Sequence, residues 1–212
     1  MNRVALVWGA TGGIGRAIAR RLTAGGWQVA AFSRRADDMG KAAAYSYEAD
    51  VADPFAVQRA ALAASQEAGE ARLFVYAAGD ITSEPVSEMA PAAFRRIIDA
   101  NLIGAYNAVH HSLPLLAADA PLVFIGAVSE RMRLPGLSAY AAAKAGLEAF
   151  AETLRKEERK RTVLVVRPAA VNTVFWNKVP FRKPGNALSP EAVAAKVIEA
   201  VNSGHQGPLD IA

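Results

Sequence analysis

Val4-Ala5-Leu6-Val7-Trp8-Gly9-Ala10-Thr11-Gly12-Gly13-Ile14-Gly15 is the stretch from which the rest of the chain is read. Five apolar residues run into a glycine-rich turn, and the turn opens a helical pattern over Ile14–Ala24. A continuous apolar run suits a strand covered on both faces, as in a parallel sheet. Glycines at such a junction let the backbone turn tightly and approach a pyrophosphate, whose charge rests against the helix N-terminus. A tight strand-to-helix turn with no ligand also uses glycine, so the surrounding chain has to arbitrate.

Outward from this turn, short apolar runs alternate with longer helical patterns. The strand candidates are Val4–Trp8, Gln28–Phe32, Ala44–Glu48, Leu73–Ala77, Leu122–Ile125, Val163–Val166 and Leu209–Ile211. Between them lie helix candidates at Ile14–Ala24, Pro54–Ala68, Pro91–Ala117, Ala139–Arg159 and Pro190–Asn202. Asp53-Pro54 and Ser189-Pro190 each place a capping side chain before a first-turn proline. Alternation of this kind predicts an α/β fold, a parallel sheet with crossover helices, in one domain over residues 1–212. In that setting the turn is read as a dinucleotide site, with Gly9, Thr11, Gly12, Gly13, Ile14 and Gly15 as its phosphate contacts. The stretch Asn177–Leu188, with Pro180, Pro184 and Gly185, reads as a loop positioned to cover a substrate.

Two further places carry chemistry. The second strand runs out as Phe32-Ser33-Arg34-Arg35, and the first acids, Asp37 and Asp38, come later. A site for NAD(H) places Asp or Glu at this strand end to bind the ribose 2′-hydroxyl. A hydroxyl and two guanidiniums instead suit a 2′-phosphate, so Ser33, Arg34 and Arg35 point to NADP(H). The other reading is that both arginines solvate a loop. Further on, Tyr140 and Lys144 are four residues apart, which stacks them on one helix face. An ammonium beside a phenol favours the phenolate and is expected to lower its pKa from about 10 toward the working range. That makes Tyr140 a candidate general acid for carbonyl reduction or base for alcohol oxidation. Taken alone, the pair is common on structural helices.

Together, these motifs resemble those of the short-chain dehydrogenase/reductase family. Gly9, Gly13 and Gly15 match its glycine motif, and Tyr140 with Lys144 match its tyrosine-lysine motif. Asp50-Val51 matches the pair that contacts adenine. Tyr76-Ala77-Ala78-Gly79 stands where Asn-Asn-Ala-Gly is common, which gives Ala77, Ala78 and Gly79 a cofactor-lining role. Asn101 matches the asparagine that holds a relay water, and Pro168 through Thr173, with Val171, resembles the segment that binds the nicotinamide carboxamide. The resemblance implies a Rossmann-like doubly wound parallel sheet with helices on both faces. It also implies an oxidoreductase moving a hydride between NADP(H) and a carbonyl or alcohol. Lys144 would hold the nicotinamide ribose, and Tyr140 would exchange the proton with substrate oxygen.

The chain departs from the family pattern in three places. Tyr76-Ala77 replaces the usual asparagines. The chain stops soon after Leu209-Asp210-Ile211, without the tail many members carry. A homodimer or homotetramer is expected, with the long Tyr140 helix as a candidate interface. The family serine, aligned without a gap through Pro135-Gly136, falls on Ala127, and Ser129 lies two residues on. Ser129 either supplies the missing donor through a shifted loop or bonds only its own backbone. Members lacking the serine, the dihydropteridine reductase group among them, still reduce their substrates. The competing expectations are therefore a serine-lacking pteridine or quinonoid reductase, and a non-catalytic NADP(H)-binding redox sensor. An interaction protein that borrowed the fold is opposed by the intact glycine loop.

Several classes are excluded or disfavoured. With 24 basic against 20 acidic residues, the surplus is +4 and scattered, where a nucleic-acid binder gathers a stripe. The mixed run Arg155–Arg161 is expected to end a helix. No cysteine is present, which rules out disulfides and cysteine-ligated zinc. His110 and His111 lack a carboxylate at ligand spacing, so no metal is expected. No stretch is long enough to span a membrane, and a cytoplasmic protein is expected. Phe175 and Trp176 either line the substrate pocket or pack a loop. Arg131 and Arg133 either attract an anionic substrate or are solvated.

Overall fold

The computed structural model describes residues 3–128 and 132–212. Along β1 (Arg3–Trp8) the side chains alternate between two cores: Val4, Leu6 and Trp8 enter one, Ala5 and Val7 the other. This period of two buries every residue of the apolar run, because the sheet is covered on both sides. The same division recurs in β4 (Ala71–Tyr76), with Phe74 and Tyr76 facing one way and Leu73 and Val75 the other. The remaining strands are β2 (Trp27–Ser33), β3 (Tyr45–Glu48), β5 (Leu122–Ile125), β6 (Val163–Pro168) and β7 (Gly207–Ile211). Among the described residues they form one parallel seven-stranded sheet in the order β3-β2-β1-β4-β5-β6-β7.

Helices α1 (Gly13–Ala24) and α6 (Pro190–Asn202) cover one face. Helices α2 (Pro54–Glu67), α4 (Gly104–Ser112) and α5 (Ser138–Glu157) cover the other. The fold is thus the doubly wound Rossmann-like sheet expected from the sequence. Both anticipated caps form: Asp53 accepts from the N–H groups of Phe55 and Ala56, and Ser189 from that of Ala192. Winding reverses between β3 and β4, which leaves a crevice at the C-terminal ends of β1 and β4, the usual ligand position in such sheets. Register sets Trp8 opposite Phe32 and Tyr76, so the three strands end level around that crevice.

The helix expected over Pro91–Ala117 needs correction. Helix α3 (Pro91–Ile98) passes through a π turn at Asp99–Ile103 before α4. The helix then stops at Ser112, because Pro114 has no N–H to continue the ladder and sits in a 3₁₀ turn, Leu113–Leu115. Leu116 instead bridges to Ala71 beside the sheet. Helix α5 ends at Glu157 with Arg155 and Lys156 in its last turn, where cations suit the macrodipole. Beyond it, Arg161 folds back to pair with Glu158 and to donate to the Leu116 carbonyl at 3.2 Å.

Candidate active site

The crevice is lined by glycine where two chain segments meet. Gly9 has φ +78°, and a Cβ there would fall on the Ala78 backbone. A Cβ on Gly15 would strike the Gly9 carbonyl, and one on Gly13 would lie 2.8 Å from the Thr173 methyl. The glycine turn therefore meets two distant segments, Gly9 at Ala77 and Ala78 and Gly13 at Thr173. Thr173 caps the short turn Val174–Lys178, and buried Val171 bridges to Leu188. Helix α1 begins at this crevice with Gly12 and Gly13 exposed and no side chain capping it. Its free N–H groups and positive dipole end suit a pyrophosphate.

At the adjoining end of β2, Ser33 is buried and accepts from the Arg35 N–H at 3.2 Å. Arg34 and Arg35 are exposed. Asp38 is occupied elsewhere: its carboxylate meets Arg35 at 3.3 Å, and its carbonyl accepts from Arg16 at 3.1 Å. Past β3, the Asp50 carboxylate accepts from the Ala52 N–H, and the Val51 carbonyl accepts from Asn107 at 3.0 Å. The helix α4 that carries Asn107 thereby fixes the segment matched to adenine contact.

Helix α5 brings Tyr140 and Lys144 inward on one face, 8% and 4% exposed. Lys144 donates to the Ile125 carbonyl at 2.9 Å, and its ammonium lies 5.7 Å from the Tyr140 ring centre. Desolvation pulls the Lys144 pKa down to about 8. Burial also pushes the Tyr140 phenol above its ordinary value, with no opposing cause from the ammonium. The phenol of the free protein is therefore shifted by burial upward, opposite to the lowering expected from a neighbouring ammonium.

Asn101 completes this corner. It is fully buried and donates from Nδ2 to the Asp80 carbonyl at 2.7 Å and the Ile97 carbonyl at 2.8 Å. Its Oδ1 has no hydrogen-bond partner. A Cβ on Gly79 would lie 2.7 Å from that oxygen and 3.8 Å from the Lys144 nitrogen. An unpartnered buried acceptor costs about 1–3 kcal/mol, so a donor from outside the protein fits here. Glycine cradle, bare helix N-terminus and orphaned Asn101 oxygen together fit a dinucleotide. The substituted Tyr76 has its own part, since its hydroxyl donates to the Ala100 carbonyl at 2.8 Å and supports the π turn carrying Asn101.

Around Tyr140 lies a small apolar cluster of Ile81, Ile97, Leu137 and Ala139, against which Phe175, Val179 and Phe181 pack. Phe175 packs against the cluster that contains Tyr140, whereas Trp176 donates from its ring N–H to the Val171 carbonyl at 2.8 Å. Ala127 is buried. Ser129 and Arg131 lie outside the described residues, and Arg133 is exposed. Tyr106 stacks on exposed His110, and no group of residues suited to hold a metal occurs among the described residues. No helix among the described residues is long and apolar enough to cross a membrane. Sequence reading missed Asp80, Arg96 and Lys178, which meet in an ion cluster beside Asn101. Their positions, 80, 96 and 178, are too scattered for any spacing rule to join them.

The short chain dehydrogenase family model matches residues 3–183. The chain belongs to the short-chain dehydrogenase/reductase family. This short-chain dehydrogenase/reductase is 32% identical over 192 residues to the 3-oxoacyl-acyl-carrier-protein reductase MabA of Mycobacterium bovis, covering 89% of this chain and 77% of that one. It is 29% identical to the 2-dehydro-3-deoxy-L-rhamnonate dehydrogenase (NAD(+)) of Sphingomonas sp., covering 84% and 76% of the two chains. Its fold superposes on an alcohol dehydrogenase of the archaeon Thermococcus sibiricus complexed with 5-hydroxy-NADP. The TM-score is 0.89 at 21% identity, over 100% and 96% of the chains. As a member of the family it is an oxidoreductase that binds a nicotinamide cofactor and acts on small molecules.

Proposed function

We propose that this short-chain dehydrogenase/reductase is an NADP(H)-dependent carbonyl reductase or alcohol dehydrogenase with Tyr140 as general acid/base. The observation that carries the reading is the corner where Lys144 and the unpartnered Asn101 oxygen lie against Gly79, with buried Tyr140 beside Lys144 on the same helix face. When bound, the cofactor supplies or accepts the hydride. Gly9, Thr11, Gly12, Gly13, Ile14 and Gly15 hold its phosphates, Asp50 and Val51 its adenine, and Ala77, Ala78 and Gly79 line it. Pro168, Val171 and Thr173 hold the nicotinamide end.

Preference for NADP(H) is supported by the end of β2, where exposed Arg34 and Arg35 stand and Asp38 is turned to Arg35 and Arg16. A planar guanidinium grips a 2′-phosphate, while no carboxylate at the strand end claims the 2′-hydroxyl. Tyr140 with its raised pKa is protonated at neutral pH and holds a proton ready for a carbonyl oxygen. Lys144 holds the nicotinamide ribose and, once charge builds on the phenol, stabilises it. Asn101 positions the relay water, and Ser129 is the proposed donor to the substrate oxygen. A homodimer or homotetramer is supported by exposed Phe94, Ile103 and Tyr106 along α3, the π turn and α4.

Buried Ala127 favours a second reading, a serine-lacking reductase of polarised substrates such as pterins or quinonoid compounds. NADPH oxidation measured against aldehydes, ketones, quinones and pterins separates the readings. Turnover of ordinary ketones supports the first, and turnover confined to pterins or quinones the second. Tight NADPH binding without turnover of any of them points to a redox sensor and overturns both.

A further inference from the structure

Asp80 follows Gly79 directly and is 6% exposed, and no role above uses its carboxylate. Oδ1 accepts from the Ile81 N–H at 2.9 Å and from the Lys178 ammonium at 2.5 Å, while Oδ2 accepts from the Arg96 guanidinium. Its carbonyl accepts from Asn101 at 2.7 Å. One residue thus joins the turn after β4, helix α3, the π turn and the segment after β6. The two cations are about half exposed, at 44% for Lys178 and 52% for Arg96, so they reach inward to a buried partner. Desolvation lowers the Lys178 pKa, and Arg96 and Arg34 lower it further. With the carboxylate removed, Lys178 would face two guanidiniums with nothing to balance them, and like charges would drive it outward.

Lys178 lies in the chain among Phe175, Val179 and Phe181, which pack on the cluster that contains Tyr140. These three are each only partly buried, so their apolar contact alone holds the segment weakly. A charge-assisted bond to a buried carboxylate adds a directional hold that partial burial lacks. Buried Ile81, Ile97 and Leu137, with Met89 and Met132 packed against them, make the surroundings of Tyr140 beneath this segment apolar.

We propose that Asp80 is a positioning residue whose ion pair with Lys178 holds segment 174–181 over Tyr140, roofing a pocket that selects carbonyls with an extended apolar substituent. The proposal rests on Tyr140 as the reacting group, but the hold on the segment is measurable without any reaction. Hydrogen exchange of the amides in segment 174–181 is followed in the ligand-free full chain for the parent, Lys178→Met, Lys178→Arg, Asp80→Asn and Asp80→Asn/Lys178→Met. Lys178→Met is expected to speed exchange there roughly tenfold while β4 and α3 stay at parental rates. Lys178→Arg keeps the pair and the protection. The double variant exchanges no faster than Lys178→Met, since both changes break the same bond. Parental exchange in Lys178→Met overturns the proposal, and so do fully additive effects. Should Asp80→Asn fail to fold, Lys178→Met against Lys178→Arg still decides.

The selectivity is read with NADPH and straight-chain aldehydes from propanal to decanal. Lys178→Met is expected to lower kcat/KM for decanal relative to propanal by roughly fivefold or more, mainly through KM. An unchanged ratio overturns the pocket assignment. Absence of turnover with every aldehyde in the parent counts against the reading of Tyr140, and the exchange result stands apart from it.

Discussion

Lys144 carries an ammonium to a place with 4% exposure, and its pKa drops from 10.5 to about 8. The sign of the consequence follows from linkage. Below pH 8 the lysine is charged in both the folded and unfolded states, so the folded protein bears the full desolvation cost. Between about 8 and 10.5 the unfolded chain binds more protons, and stability gained from this group rises with pH. Lys144→Met should therefore melt higher than the parent at pH 6–7 without ligand, and the gap should shrink toward pH 10; a constant gap across that range would contradict the assignment. Its activity should fall even as its melting temperature rises, a cost commonly attached to a functional group placed against stability. At the other end of the crevice, changing Arg34 and Arg35 together to alanine should weaken NADPH by about 1.5–3 kcal/mol per charged hydrogen bond lost. NADH should be barely affected, and calorimetric titration of both cofactors checks it. The Tyr140 and Lys144 pair was legible because four-residue spacing fixes a shared helix face. The direction of the Tyr140 shift was not, since it depends on what packs above that face.

At the scale of elements, the π turn Asp99–Ile103 decides where Asn101 stands, and it is held from two sides. Tyr76 donates to the Ala100 carbonyl, and Gly104 lets the helix press against Tyr76 and Val51. A Cβ on Gly104 would lie 2.6 Å from the Tyr76 hydroxyl and 2.7 Å from the Val51 side chain. Gly104→Ala should cost about 1–3 kcal/mol by overpacking, read from urea unfolding. Tyr76→Phe should cost about 0.5–1.5 kcal/mol and lower kcat more than it lowers NADPH affinity, because the freed carbonyl belongs to the turn behind Asn101. Strands β1 to β6 lie where the short runs predicted; β1, β4 and β5 are buried almost throughout, while the edge strand β3 buries Tyr47 alone. The single helix expected over Pro91–Ala117 hid both the π turn and the stop at Pro114. One extra residue in a helical turn barely alters apolar periodicity, so the π turn has no signature of its own.

For the whole molecule, function follows from where the winding reverses. The order β3-β2-β1-β4-β5-β6-β7 brings the ends of β1 and β4 together, and Gly9 meets Ala78 there. Alternating strands and helices predicted the parallel sheet, while the ion cluster of Asp80, Arg96 and Lys178 emerged only when strand order brought its three segments to one edge. The central claim is that this edge binds NADPH and that Tyr140 delivers the proton. Its most direct test is Tyr140→Phe, titrated with NADPH and assayed for turnover on the same preparation against the best carbonyl substrate of the parent. The account predicts an NADPH dissociation constant within about twofold of the parent and a kcat lower by about 10² or more. A variant that keeps most of its kcat would contradict the account, as would one that loses NADPH binding along with turnover.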